Sequence, residues 1–214
     1  MLNAAIRDIP LPPRLGRRPV NERGFPVPWF VSWVGGKWDF VNVDPRKIIE
    51  AYNRKICWLC GQPLGRYKSQ VIGPMCSINR VSSEPSSHAE CCEYAARACP
   101  FLARPNAKRN EKAHLGSAED IPGIAIEHNP GACLIWTTKT VTPFRANGGV
   151  LFELGEPTSI SWWCEGRKAT RAEIDAAIEK GMPFLRAAAE TEGSDAVKAL
   201  EGYIKRAEKL LPAE

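Results

Sequence analysis

Six of the chain's eight cysteines fall between residues 57 and 99, and the first two stand in the stretch KICWLCGQPLG, residues 55–65. Cys57 and Cys60 are two residues apart, and Gly61 follows the second. A Cys-x-x-Cys-Gly turn presents two sulfurs to one point, because the glycine lets the backbone fold tightly behind the second ligand. Such a turn is half of a metal site, a redox pair, or two neighbouring buried thiols.

The rest of the sequence weighs these options. The N-terminus, MLNAAIRDIPLPPRLGRRPV, places prolines and arginines where a secretory leader needs an apolar stretch. No apolar run approaches the roughly 18–20 residues of a membrane span. The expectation is therefore a cytoplasmic protein with no membrane partner, whose cysteines need a reason other than disulfides. A thioredoxin-like pair follows a strand and opens a helix. Here a helical pattern precedes the cysteines and a turn follows, which argues against redox chemistry.

The second half of a metal site is expected from SSHAECCEYAARACPFL. Ser87 and Glu90 form an S-x-x-E capping pattern, so the helix should begin near His88 and stop before Pro100. His88 and Cys91 are three apart and share a helix face in the first turn. The predicted ligands are Cys57, Cys60, His88 and Cys91, and the predicted cofactor is Zn2+ in a structural role. Cys92 can replace Cys91, and Cys76 can displace His88. Cys99, Cys133 and Cys164 read as buried thiols acting as small hydrophobes. A knuckle, β-like turns and a helix carrying the second pair resemble a treble-clef zinc finger.

The chain has 214 residues, 44% of them apolar, enough for one sizeable core or two small lobes. The pattern predicts an α+β fold: a treble-clef-like zinc finger region, a small antiparallel sheet and C-terminal helices. Residues 1–24 read as an extended arm. Residues 25–102 hold a hairpin turning at Gly35-Gly36, a helix capped by Asp44-Pro45, and the zinc region. A loop or linker follows over 103–120, then the sheet over 121–165 and a helical segment over 166–214. In that segment Thr170 and Glu173 form a second capping box, Gly181 reads as a stop, and Ser194 caps a last amphipathic helix.

Charge is unevenly spread. Residues 1–112 hold 18 Lys/Arg against 9 Asp/Glu, while residues 113–165 hold 2 against 6. The excess suggests an anionic partner. The candidate nucleic-acid-binding residues are Arg14, Arg17, Arg18, Arg23, Arg66, Lys68, Arg80, Lys108 and Arg109. Trp33, Trp38 and Trp58 offer faces for stacking on bases, though tryptophans alternating in a hairpin are more often core. The alternative is a protein-binding module, with Trp162-Trp163, the PFL segments at 100–102 and 183–185, and the Pro-rich arm forming an apolar patch.

An HNH-type nuclease, the third option, fits poorly. Residues 61–87 contain no histidine to act as general base, and Asn79 and His88 are the only polar candidates. Cysteine nucleophilicity at Cys76 with His114 or His128 has little to build on among three histidines. The chain reads more as a binding protein than as an enzyme.

At GFPVPWFV, CWLCGQPLGRY, GPMCSINR, EPSSHAECCEYAARACPFL and GRKATRAEI the chain resembles a family of uncharacterised bacterial and phage-encoded proteins, over most of its length. The resemblance implies a phage or mobile-element origin and a role in acting on host nucleic acid or blocking a host factor. It carries no catalytic residue over.

Overall fold

In a computed structural model the chain is α+β, and the structure describes residues 1–40, 43–104, 107, 129–146 and 149–213. Most of the expected linker, and with it Lys108 and Arg109, lies outside the described residues. The hairpin forms as β1 (Ser32–Val34) and β2 (Lys37–Asp39), with Trp33 opposite Trp38. Helix α1 (Pro45–Asn53) starts where Asp44 accepts a hydrogen bond from the Arg46 amide. Then come β3 (Lys68–Ile72), α2 (Pro74–Asn79), β4 (Val81–Ser82) and α3 (Ala89–Ala98). Strands β5 (Cys133–Thr138), β6 (Val141–Ala146), β7 (Gly149–Leu154), β8 (Pro157–Cys164) and β9 (Arg167–Lys168) precede α4 (Arg171–Glu192) and α5 (Ser194–Ala207).

The strands divide into two antiparallel sheets besides the hairpin. One has the order β3-β5-β8-β9 and the other β4-β7-β6. Strand β3 aligns Ile72 with Leu134 and Gln70 with Trp136, while β4 aligns Ser82 with Phe152. The two strands lying between the cysteine knuckle and α3 thus join different sheets, and neither pairs with the other.

All six residues of β5, CLIWTT, are buried, so the strand is covered on both faces. Its alternate side chains enter two cores. Leu134 and Trp136 pack with Trp162, Ile174 and Leu210 on the side of α4. Cys133 and Ile135 pack with Trp163, Cys92 and Ala96 on the side of α3. Adjacent Trp162 and Trp163 serve opposite faces of the sheet, so this pair is core and forms no surface patch. The Trp162 indole N–H is satisfied by the Leu210 carbonyl at 3.1 Å, which fastens the C-terminal end to the sheet.

The capping box at Thr170 and Glu173 is present, and Arg167 adds two hydrogen bonds to the Glu173 carboxylate. Those bonds from Arg167, with the Thr170 amide next, lower the Glu173 pKa to about 2. The lowered value stabilises the fold above the ordinary carboxylate range, and the contribution disappears as pH falls from there toward 2. Gly181 does not stop the helix: α4 continues through it and through Pro183. The reason is tertiary. A side chain at Gly181 would meet Met75 atoms at 2.9–3.0 Å, so the glycine lets α2 and α4 approach closely. At the next turn Gly193, with φ of +108°, supplies the reversal, and Ser194 is the first residue of α5 rather than its cap. No helix among the described residues is long and apolar enough to cross a membrane.

The Ile174 side chain is fully buried under the central sheet. Ile174→Ala should lower unfolding free energy by about 2–5 kcal/mol, whereas Phe184→Ala on exposed helix surface should stay within about 0.5 kcal/mol. Urea denaturation of both variants checks the difference.

Candidate metal centre

Backbone hydrogen bonds build the knuckle. After α1, Lys55 takes a left-handed conformation, and Ile56 bridges to Pro63 across the turn. The Cys57 amide donates to the Gln62 carbonyl at 2.8 Å and the Gly61 amide to the Cys57 carbonyl at 2.8 Å. Gly61 has φ of +74°, and a Cβ there would lie 2.4 Å from the Trp29 ring. The glycine is needed twice over, for its dihedral and for the ring seated on it. Trp29 is held there by its own amide, which donates to the Leu59 carbonyl at 2.8 Å.

The second half is set by β3. Ser69 and Ser87 exchange amide–carbonyl bonds of 2.9 and 2.7 Å, which fixes the chain just before α3. His88, rather than Ser87, takes the N-cap position, and the expected capping box with Glu90 does not form. Glu90 faces Arg14 instead, at 3.5 Å. The His88 side chain turns inward. Its Nε2 lies 3.0 Å from the Pro63 carbonyl, which only accepts, so Nε2 carries the proton. The unprotonated Nδ1 then points at Cys60 Sγ, 3.4 Å away, and Cys91 Sγ, 3.9 Å away. A carbonyl fixing the tautomer behind a ligating histidine is the usual support of a metal-bound imidazole.

Cys57, Cys60, His88 and Cys91 therefore converge. Their ligand atoms all lie within 4.8 Å of one another, and all four residues are buried. Tetrahedral zinc, with Zn–S near 2.3 Å, spaces its sulfurs by roughly 3.8 Å, so the set is close enough for a metal ion and compatible with zinc. The alternatives left open by spacing are closed: Cys92 points into the core between α3 and the sheet, and Cys76 packs against the main core. The Cys60 amide donates to Cys57 Sγ at 3.4 Å. Hydrogen bonds from Cys60 and Cys91, then those of the backbone, pull the Cys57 thiol far below its ordinary range. Cys60 and Cys91 are pushed up, first because each donates to Cys57. Three thiols crowded together ionise fully only beside a cation.

The remaining cysteines have no such setting. Burial pushes Cys76, Cys92 and Cys99 up, and lifts Cys133 to about 12. Burial thus disfavours the thiolate at each of these four positions. Asn79 serves the turn after α2, accepting from the Val81 amide. Asn129, outside the cysteine region, is buried and donates to the carbonyls of Phe101, Leu102 and Arg104. An isolated asparagine before a Pro-Gly turn carries no signal of that long-range role.

Around the centre lies the N-terminal stretch. Residues 1–24 contain little regular structure, yet Ile6 and Leu15 are buried against Cys57, Cys60, Cys91 and Tyr94. Arg14, Arg17 and Arg23 stay exposed, while the Arg18 Nε donates to the Val27 carbonyl at 3.0 Å. Arg14 and Arg66 line one groove of about 360 Å3 beside His88, together with Tyr67. Lys68 reaches the Lys139 carbonyl at 3.1 Å, and Lys139 lies 6.0 Å from the Tyr67 ring. Arg80 does not belong with them. It is buried, paired with Glu156 and stacked over Trp136 at 5.4 Å, because its left-handed position after α2 turns it inward. Trp58 is also buried, stacked on Phe30, whereas Trp33 is 58% exposed against the edge of Trp38.

Comparison of the chain with protein-family models, curated proteins and solved structures gives no match.

Two substitutions one residue apart separate the ligand set from the core. Cys91→Ser should purify with less than about a tenth of the parent's metal, and Cys92→Ala should retain it, as read by elemental analysis of the purified protein. Gly61→Ala should destabilise the fold by about 2 kcal/mol or more, from strain and from displacement of Trp29.

Proposed function

We propose that this chain is a zinc-stabilised nucleic-acid-binding protein, in which a Cys3His zinc centre of treble-clef-like layout organises a basic face. Zinc suits a closed set of three thiolates and one imidazole with no carboxylate among them, and a site of that kind contributes folding energy rather than catalysis. The observation that carries the binding reading is the groove shared by Arg14, Arg66 and Tyr67, in which Arg14 also faces Glu90 at 3.5 Å. Arg66 sits 5.9 Å and Lys139 6.0 Å from the exposed Tyr67 ring, with Lys68 beside them. Cations that neutralise phosphates around an aromatic face that stacks on a base are the elements of single-strand recognition. The sequence resemblance adds a phage or mobile-element origin to the proposal.

The second reading is a protein-binding module or an inhibitor of a host factor. It is favoured by the β1–β2 hairpin, where Trp33, Val34 and Phe40 are all exposed. Salt separates the two readings, since phosphate contacts weaken steeply with ionic strength and an apolar interface does not.

Fluorescence anisotropy with labelled single- and double-stranded DNA and RNA across a salt series tests the proposal. Affinity should fall linearly in log salt, and Arg14→Glu with Arg66→Glu should weaken binding by about tenfold or more and flatten the slope by one to two charges. Stripping zinc with a chelator should abolish binding and unfold the N-terminal half. Absence of binding at low salt sinks the reading.

A further inference from the structure

Helices α2 and α4 and the segment from α5 to Leu211 border an apolar crevice of about 650 Å3, lined by Ile78, Ile178, Met182, Ile204 and Leu211. The residues that α4 contributes run from Asp175 to Arg186 at spacings of three and four, which is one helix face about 16 Å long. The rim is acidic in effect. Asp175 is engaged by Arg171, and Arg186 by Glu201. Glu179 and Glu208 make no ion pair among the described residues. Pro183 adds a third feature: it has no amide hydrogen, so the Glu179 carbonyl one turn back lacks its normal helical donor. Both residues border the crevice.

An apolar floor edged by two free carboxylates and a carbonyl without its usual donor calls for a ligand that is apolar along one face and cationic at its margins. The shape narrows the class further. An apolar crevice that runs along one helix face accepts a further helix by ridges-into-grooves packing. The charge is notable against the background, because the chain as a whole carries +5. We propose that this crevice docks an amphipathic helix of a partner protein, apolar at i, i+4, i+7 and i+11 and flanked by lysine or arginine. It is a surface separate from the basic groove beside the metal centre, and it stands whether or not that groove binds nucleic acid.

The test is anisotropy of a labelled peptide of about fifteen residues, with leucine at those four positions, lysine beside them and alanine elsewhere, against the intact zinc-loaded protein. Saturable binding is expected, with the glutamate-for-lysine peptide weaker by about tenfold or more. Glu179→Lys combined with Glu208→Lys should cost the lysine peptide a similar factor. These two positions are on the surface, so the variant should keep the parent's circular dichroism. Met182→Glu should remove binding altogether. Failure of the lysine peptide to bind, or equal binding to the charge-reversed variant, overturns the proposal. So does concentration-dependent self-association in sedimentation velocity that Met182→Glu abolishes, since a second copy then occupies the crevice.

Discussion

Three thiols and an imidazole brought together inside a protein repel, desolvate and compete for protons unless a cation sits among them. The region around Cys57, Cys60, His88 and Cys91 depends on that constraint. Its surroundings are poor in regular structure: turns over residues 1–24, the knuckle itself, and a chain interrupted by Gly65 and Gly73. The buried apolar residues there, Ile6, Leu15, Tyr94 and Ala98, pack onto the cysteines rather than onto a separate core. A metal ion held at that point would replace the interior that the stretch is too small to build for itself.

The segment between the two ligand pairs ties this centre to the rest of the molecule. It supplies β3 to one sheet and β4 to the other, with α2 between them packing on α4 and α5. A disturbance at the knuckle therefore has a covalent and hydrogen-bonded route into both sheets. The Ser69–Ser87 bridge makes the route short, because the strand that pairs with β5 is also the strand that positions His88.

Much of this was legible in the sequence where a local chemical rule decides the outcome. The Asp44 cap, the Gly35-Gly36 turn, the Thr170–Glu173 box and the strands from Cys133 to Cys164 follow from short-range pattern. So does the convergence of Cys57, Cys60, His88 and Cys91, since a knuckle and a helix start have few ways to share one point. What pattern missed was tertiary. Gly181 signals a helix end, but Met75 behind it makes the missing side chain a packing device. Ser87 and Glu90 match a capping box, yet the two-way backbone pairing of Ser87 with Ser69 takes that serine away and leaves His88 at the cap. The strand order was equally out of reach, because β3 and β4 find partners more than sixty residues away.

The arginines make the same point for function. Arg66 and Arg80 are each basic, each in the segment between the ligand pairs, and indistinguishable by composition. Arg66 lies in a loop beside Tyr67 and borders an open groove. Arg80 ends a short helix at φ of +58°, a conformation that sends its side chain across the β5 tryptophan to Glu156. The buried Arg80 guanidinium ties the turn after α2 to Glu156 between β7 and β8, and a phosphate cannot reach it without breaking that pair. Net charge along a sequence thus overstates the charge a ligand meets. Of the N-terminal cations that the fold leaves outside, Arg14 and Arg66 border one groove beside Tyr67, while Arg17 and Arg23 lie apart from it.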